Sequence, residues 1–205
     1  MRRSTLLRAG MLATVMGLAA CANTPGSAGW ATLVDGDKGL DNWTTTGDAN
    51  WRAEAGAIVA DKGKGGYLVS KKTYRDFEIN AEFWAASDTN SGIFIRISDP
   101  AKIGADSSYE VNIWDIRPDP IYATGAIVNY AAVPVPLIHK AGGKWNSMQI
   151  VARGDELVVR FNGAQTVNIR NSQFPNGPIA LQYGGGVNGA TSGPIKWRKV
   201  EIRPL

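Results

Sequence analysis

The 205-residue sequence contains one cysteine, Cys21, and one histidine, His139. A lone cysteine excludes an intrachain disulfide, so the folded part of the chain must be stabilised by packing alone. The same scarcity excludes a metal cluster built from cysteine and histidine. The sequence also has no Gly-x-Ser-x-Gly elbow and no phosphate-binding glycine loop. These absences argue against the common serine hydrolases and nucleotide-binding enzymes.

An excess of positive charge is also missing once the first residues are set aside. Arg2, Arg3 and Arg8 belong to an N-terminal leader. Without these three, the 22 basic residues fall to 19, which exceeds the 18 acidic residues by only one. The rest of the chain has no run of lysine or arginine. We therefore expect no nucleic-acid partner.

The leader is predicted to span residues 1–21. An apolar stretch at 9–17 is too short for a typical membrane-spanning helix, and Leu-Ala-Ala-Cys at 18–21 resembles the lipobox of bacterial lipoproteins. The resemblance implies lipidation of Cys21 and an exported bacterial lipoprotein on the periplasmic face or the surface of the outer membrane, with the lipid as its only membrane contact. The alternative is ordinary cleavage at Ala-x-Ala, which would leave Cys21 as a free thiol.

Residues 22–29 are small and turn-prone, which is typical of a flexible tether, and residues 30–205 are expected to form a single domain. No helical period longer than a turn or two and no internal repeat follow the leader. Instead, short apolar-polar alternations are separated by turns, and Asn162-Gly163 between two apolar runs predicts a hairpin. This pattern and 24 glycines predict an all-β fold, an antiparallel β-sandwich.

Three alternating segments, 77–84, 90–97 and 109–115, are central to this prediction. We expect them to be neighbouring strands, with the isoleucines at 93, 95 and 97 facing the core. The predicted outward set then joins carboxylates, amides, an arginine and aromatic rings on one wet face. Its members are Glu78, Asn80, Glu82, Trp84, Gly92, Phe94, Arg96, Glu110, Asn112 and Trp114.

Such a mixture suits a sugar, because aromatic rings cover the apolar faces of a pyranose while carboxylates, amides and guanidinium bind its hydroxyls. A solvated sheet face with charged pairs has the same composition, so that interpretation stays open. A third possibility is a structural envelope protein whose seven tryptophans simply fill the core.

Taken together, the chain resembles the 3-keto-disaccharide hydrolase domain family, which has a concanavalin A-like jelly-roll fold. Two motifs carry much of the likeness: Asn-Ser-Gly-Ile-Phe-Ile-Arg at 90–96 and Tyr-Glu-Val-Asn-Ile-Trp-Asp at 109–115. Further matching stretches follow in chain order over nearly all of residues 30–205. They lie at 33–36, 40–43, 66–69, 74–78, 124–127, 143–146, 162–163, 177–182 and 200–205.

The resemblance implies action on glycosides that are oxidised at C3 of a sugar. A C3 ketone acidifies the C2 proton, so the C1 leaving group can depart by elimination, which needs a base and a group that stabilises the enolate. Within this family resemblance, Glu110 is the expected base, Arg96 the group that binds the ketone or enolate oxygen, and Asp115 a residue that orients the sugar or holds a divalent metal ion together with Glu110. The expected substrate-binding residues are Glu82, Trp84, Asn112, Trp114 and Gln182.

The sequence departs from the family pattern after Leu181-Gln182. Many members carry a histidine there, but this chain has Tyr183 followed by three glycines. His139, in the loop before Trp145, could take the place of that histidine only if the fold brings it to the same site. Two hypotheses therefore remain: an envelope-anchored enzyme that cleaves 3-keto-glycosides, and a non-catalytic, lectin-like carbohydrate-binding lipoprotein.

Overall fold

The computed structural model describes Met1 and residues 29–205. Residues 2–28, which include the rest of the leader, Cys21 and most of the tether, lie outside the described residues, so lipidation of Cys21 stays a prediction. In the part of the chain that is described, no helix is both long enough and apolar enough to cross a membrane.

The described residues form an all-β structure, as predicted. Its helical content is limited to three short 3-10 turns, Leu40–Asn42, Pro120–Tyr122 and Val187–Gly189. The strands are β1 (Ala31–Asp35), β2 (Trp43–Gly47), β3 (Arg52–Glu54), β4 (Ala57–Ala60), β5 (Gly66–Tyr74), β6 (Phe77–Ala85), β7 (Ser91–Ile95), β8 (Tyr109–Ile113), β9 (Lys144–Arg153), β10 (Glu156–Phe161), β11 (Ala164–Arg170), β12 (Gly177–Tyr183) and β13 (Ile195–Pro204).

The strands form two antiparallel sheets, which confirms the predicted sandwich. The eight-stranded sheet has the order β11-β10-β9-β6-β13-β4-β3, and β1 also pairs with β13. The five-stranded sheet has the order β2-β5-β12-β7-β8. Strand β13 lies inside the larger sheet: β6 pairs with it on one side, while β4 and β1 share the other side.

The inner faces of the two sheets share one hydrophobic core. In the larger sheet, the Phe83 ring lies 5.4 Å from Trp197 and 6.2 Å from Phe161, measured between ring centroids. Ile93 and Leu181 pack into the same core from the smaller sheet. Because successive strand residues alternate, this core decides which side chains point outward from each sheet.

The three segments singled out by their alternation are not neighbours, which corrects the sequence prediction. β6 belongs to the eight-stranded sheet, whereas β7 and β8 pair with each other in the five-stranded sheet. The outer faces of the two sheets point away from each other. Glu82 and Trp84 on β6 therefore lie on the opposite side of the sandwich from Glu110 and Asn112 on β8.

The alternation of the 90–97 segment also breaks at Arg96. This residue has φ of 53°, a left-handed conformation that is uncommon for any residue except glycine. Ile93 and Ile95 face the core as expected, but Ile97 packs with Phe94, Val69 and Ala180 in a second apolar cluster. That cluster covers part of the outer face of the five-stranded sheet, where the sequence had predicted only solvent-facing side chains.

As a consequence of this turn, the Arg96 side chain is fully buried instead of facing a ligand. Its guanidinium donates hydrogen bonds to the carbonyl oxygens of Arg75 and Gly154, at 2.8 Å each, and pairs with the Asp76 carboxylate at 3.2 Å. The predicted role of Arg96 in binding a ketone or enolate oxygen is therefore wrong. The residue instead ties the end of β7 to two neighbouring loops.

Two local predictions had different outcomes. The hairpin at Asn162-Gly163 is confirmed: these residues have φ of 49° and 84°, as a two-residue turn of type I′ requires, and connect β10 to β11. The run of threonines in β2 was not predicted as a strand. In the loop after β8, residues 125–130 form only isolated bridges at Ile127.

Arg96→Ala should destabilise the fold by about 3 to 5 kcal/mol, because it leaves buried carbonyl oxygens and Asp76 without their donor. Urea unfolding measures this change. Arg75→Ala is the matched control, since that side chain is exposed and only its carbonyl contacts Arg96. Unchanged stability of Arg96→Ala together with lost ligand binding would return Arg96 to the functional site.

Candidate functional site

The candidate site is centred on Glu110, in the middle of the edge strand β8. Tyr109, Val111 and Ile113 face the core, so alternation turns Glu110 and Asn112 outward. Across the sheet, Glu110 pairs with Phe94 and Asn112 pairs with Gly92. The loop that follows β8 folds back on this edge: the Val128 N–H donates to the Glu110 carbonyl at 3.0 Å, which fixes the backbone of the strand.

The Glu110 side chain is largely buried, and its carboxylate lacks a hydrogen-bond donor among the described residues. Only 8% of the residue is exposed, and no residue of the described chain donates a hydrogen bond to its carboxylate. Burial raises the pKa of Glu110 from its ordinary value to about 7, and the positive charge of Arg117 opposes that rise. The group is therefore poised between its two protonation states near neutral pH, as a general base or acid requires.

Unsatisfied polar atoms accumulate on this side of the molecule. Among the described residues, six buried side-chain nitrogen or oxygen atoms have no hydrogen-bond partner. Two of them, Asn112 Oδ1 and Gln182 Oε1, are acceptors on the same sheet face as Glu110, and two more, Trp114 Nε1 and Arg117 Nε, are donors in the segment that follows β8. Native proteins rarely leave buried polar atoms unpaired, so this concentration indicates a place for a polar ligand.

Gly92 lies between these groups. A Cβ atom at this position would lie 3.1 Å from the Val111 carbonyl oxygen and 3.6 Å from both Gln182 Oε1 and Glu110 Cγ. Tyr67 lies beside them, because it pairs with Gln182 across the sheet. Burial raises the pKa of the Tyr67 phenol, the Gln182 amide opposes that rise, and the charge of Glu110 adds to it. The four residues thus lie side by side on the outer face of the five-stranded sheet.

Arg117 is a residue near Glu110 that the sequence analysis did not single out. Its guanidinium carbon lies 5.7 Å from the centroid of the Trp114 ring, and its charge acts on Glu110. It stands in the proline-rich loop just after β8, where no alternation marks a side chain as outward. The one available signal was its proximity in sequence to Glu110 and Trp114.

The other expected residues of this face have mixed outcomes. Asn112 is fully buried and its amide nitrogen donates to the Tyr122 carbonyl at 2.6 Å, so only its oxygen is available to a ligand. Gln182 and Trp114 are half-buried. The predicted assignments of these three residues to substrate binding stay predictions.

Asp115 has a structural role, contrary to expectation. Its carboxylate accepts hydrogen bonds from the Thr124 hydroxyl at 2.6 Å and from the backbone N–H groups of Ala141 and Gly142 at 2.9 to 3.0 Å. These bonds join the two ends of the long loop between β8 and β9. With its oxygens used in this way, Asp115 does not fit a metal site shared with Glu110. In the described residues, no group of three or more His, Cys, Asp or Glu side chains could hold a metal ion.

Glu82 and Trp84 lie on the outer face of the eight-stranded sheet, so they cannot join Glu110 in one site. Glu82 accepts a hydrogen bond from Arg198 at 2.6 Å, and Trp84 lies under the Lys196 ammonium at 5.0 Å. Their assignment to the same ligand as Glu110 is therefore wrong.

The region of the missing histidine is filled in a different way. Tyr183 points into the core, where its hydroxyl donates to the Ser192 carbonyl at 2.9 Å. At Gly184 a Cβ would lie 2.6 Å from Asn90 Nδ2, so no side chain fits there while Asn90 keeps its place. His139 lies half-buried beside the exposed Ile138, and no described contact brings it to Glu110.

Comparison with known proteins gives a family and a fold. The sequence matches the model of the 3-keto-alpha-glucoside-1,2-lyase-like domain over residues 29–203. No curated protein matches it. Two candidate glycosyl hydrolases from Parabacteroides distasonis ATCC 8503 have similar structures. The first has 17% identity and a TM-score of 0.68 over 86% of this chain and 94% of its own, and the second has 23% identity and 0.67 over 86% and 99%.

A carbohydrate-binding module of family 66 from Bacillus subtilis has the same fold, with 14% identity and a TM-score of 0.52 over 85% of this chain and 95% of the module. These identities are low, so they show the shared fold alone. The sandwich is thus one used both by glycosyl hydrolase-like proteins and by carbohydrate-binding modules.

Glu110→Gln should make the protein more stable at pH 8 than the unsubstituted chain. Below pH 4.5 the carboxyl is neutral in both the folded and the unfolded state. As the pH rises to about 7, the unfolded chain loses the proton and the folded chain keeps it, so folding stability falls. The neutral amide removes this loss, which corresponds to at most about 3 kcal/mol above pH 7.

Denaturant unfolding at pH 4.5 and pH 8 measures the effect, with Glu156→Gln on β10 as the control for loss of one negative charge. A stability difference between Glu110→Gln and the unsubstituted chain that does not change with pH would contradict the burial-raised pKa of Glu110.

Proposed function

Because the chain belongs to the 3-keto-alpha-glucoside-1,2-lyase-like domain family, we propose that it cleaves 3-keto-glycosides by elimination, with Glu110 as the base. The observation that carries this proposal is the largely buried Glu110 side chain, whose carboxylate has no donor among the described residues and a pKa of about 7. The alternative interpretation of this surface was a solvated sheet face. On such a face the carboxylate would be paired or hydrated, and its pKa would stay low.

The reaction begins at C2 of the oxidised sugar. The Glu110 carboxylate removes the C2 proton, which the neighbouring C3 ketone has made acidic, and the electron pair of the C–H bond forms an enolate. The enolate then restores the C3 carbonyl while a double bond forms between C1 and C2 and the bond from C1 to the leaving oxygen breaks. Glu110 returns its proton to that oxygen, so the products are an unsaturated keto-sugar and an alcohol.

Arg117 is the residue best suited to stabilise the enolate oxygen, the role that the sequence had given to Arg96. Its Nε–H group lacks a partner, and its charge already acts on Glu110. A guanidinium in a partly buried site stabilises developing negative charge more strongly than it would in water. Stacking on Trp114 holds the side chain near β8.

Sugar hydroxyls supply the donors that two amide oxygens lack. Asn112 Oδ1 and Gln182 Oε1 are buried acceptors without a partner, and each can accept a hydrogen bond from a hydroxyl of a bound pyranose. Gly92 lies beside both residues and has no side chain that would keep the ring away from the sheet. This part of the proposal concerns binding and does not depend on the chemistry at C2.

A second candidate function, carbohydrate binding without catalysis, is favoured by the region after Gln182. Tyr183 is turned into the core and Gly184 has no room for a side chain, so no second titratable residue faces Glu110 from this strand. Under this proposal the same face binds a glycan and performs no elimination. With either function, we propose that Cys21 anchors the exported protein to the bacterial envelope.

The experiment that tests the elimination is turnover of 3-keto-trehalose and an aryl 3-keto-glucoside by the purified protein, followed by release of the leaving group. Glu110→Gln should lower kcat/KM by about 10² to 10⁴ because it removes the base. Glu156→Gln is the matched control and should retain turnover. Retained turnover in Glu110→Gln would overturn the assignment of the base. Saturable binding without turnover in the unsubstituted protein would favour the binding function.

The pH profile tests Arg117. In the unsubstituted protein kcat/KM should rise with pH through about 7, as Glu110 ionises. Arg117→Ala should lower kcat by about 10² to 10³ and move the midpoint of this rise to higher pH, because the positive charge that opposes the raised pKa is gone. Arg153→Ala, at an exposed arginine, controls for the loss of charge. A fall in kcat with an unmoved midpoint would mean that Arg117 acts only through the fold.

A further inference from the structure

We infer that the outer face of the eight-stranded sheet carries a second carbohydrate site, a groove that takes a neutral oligosaccharide. The groove has a volume of about 360 Å³ and runs across β13, β6, β9 and β10. Ligand pockets of this size hold one or two sugar rings. The groove lies on the opposite side of the sandwich from Glu110, so it is separate from the proposed catalytic site and does not depend on it.

An aromatic row borders the groove. Lys196, Trp84 and Trp145 stand side by side on three neighbouring strands, because Trp84 pairs with Lys196 on one side and with Trp145 on the other. Trp145 is 40% exposed, which is unusual for so large a ring on a sheet. The Arg198 guanidinium lies 4.4 Å from its centroid and covers one side, so the remaining surface is available to the apolar face of a pyranose.

Two polar rows follow the aromatic row along the strands. In the first, Glu82 pairs with Lys199 on β13 and with Ser147 on β9. A shift of register between Trp197 and Lys199 produces this pairing and brings Arg198 to the same side, where it bonds Glu82 at 2.6 Å. Alternate residues of a strand are about 6.6 Å apart, so the three rows together extend over about 13 Å.

The second polar row supplies further groups that bind hydroxyls. Asn80 pairs with Glu201 on β13 and with Gln149 on β9, and Arg160 follows on β10. The hydrogen bonds of Arg160 to Gln149 and Gln165 measure 3.4 and 3.3 Å, which is long, so its guanidinium can turn to a ligand at little cost.

The charge of the lining identifies the chemical class of the ligand. Inside the groove the carboxylates of Glu82 and Glu201 balance the cations of Lys199 and Arg160. Beside it, Arg198 is paired with Glu82 and Lys196 lies over the Trp84 ring. A polyanion or a strongly charged peptide would place charges of like sign against half of these groups. An apolar helix would remove all of the charged groups from water. A neutral polyol can form hydrogen bonds with both the donors and the acceptors of the groove, and the aromatic row adds a surface for its ring. An oligosaccharide combines both properties.

The test is a titration of isotope-labelled protein with maltotetraose and, separately, with cellotetraose, followed by backbone amide and indole resonances. We expect shifts in β6, β9 and β13 and at the Trp145 indole, with dissociation constants of about 0.1 to 10 mM. Trp145→Ala and Arg160→Ala should each weaken binding by at least about tenfold, since each removes one good contact. The dispersion of the spectra verifies that both variants are folded.

Trp30→Ala is the matched control. The Trp30 ring is also covered by an arginine, with Arg203 at 4.9 Å, but it belongs neither to the groove lining nor to the aromatic row beside the groove, so the variant should bind as the unsubstituted protein does. The inference is overturned if neither tetrasaccharide shifts resonances of these strands, if the shifts lie only around Glu110, or if Trp30→Ala weakens binding as much as Trp145→Ala.

Discussion

The structure depends on one constraint, which is that two sheets must bury their inner faces against each other. Phe83, Phe161 and Trp197 fill the middle of that interface from the larger sheet, and Ile93 and Leu181 meet them from the smaller one. Since strand residues alternate, a side chain that is not in this core faces outward. The core thereby divides the polar residues into two populations on opposite sides of the molecule, one around Glu110 and one around Trp145.

The same constraint explains how much the sequence could predict. Alternation identified most strands, the Asn162-Gly163 turn and the sandwich, because each depends on residues close together in the chain. It also identified Glu110 and Asn112 as outward. Alternation, however, gives only the side of a strand relative to the core and does not give the sheet to which the strand belongs. Glu82 and Glu110 are alike in pattern, and only the passage of the chain from one sheet to the other between β6 and β7 separates them.

The prediction for Arg96 was wrong for a different reason. Its left-handed backbone reverses the alternation for a single residue, and no property of the Ile-Arg-Ile sequence indicates that reversal. The role of Asp115 was predicted wrongly because its hydrogen-bond donors, Thr124, Ala141 and Gly142, are distant in the chain. Both residues look functional in the sequence because buried structural charges and catalytic charges are drawn from the same residue types. What distinguishes Glu110 is that its carboxylate has no donor while its neighbours keep unpaired atoms, and that becomes visible only in three dimensions.

The place of β13 in the larger sheet has a consequence for how the protein forms. This strand follows all the others in the chain, yet it pairs with β6, β4 and β1 and joins the two parts of the sheet. While the polypeptide is being synthesised, one edge of β6 therefore stays unpaired, and the inner aromatic residues lack their contact with Trp197. The larger sheet cannot close until synthesis has passed residue 195. Contacts between residues so distant in sequence make folding slow and leave unpaired edges exposed to other chains in the meantime.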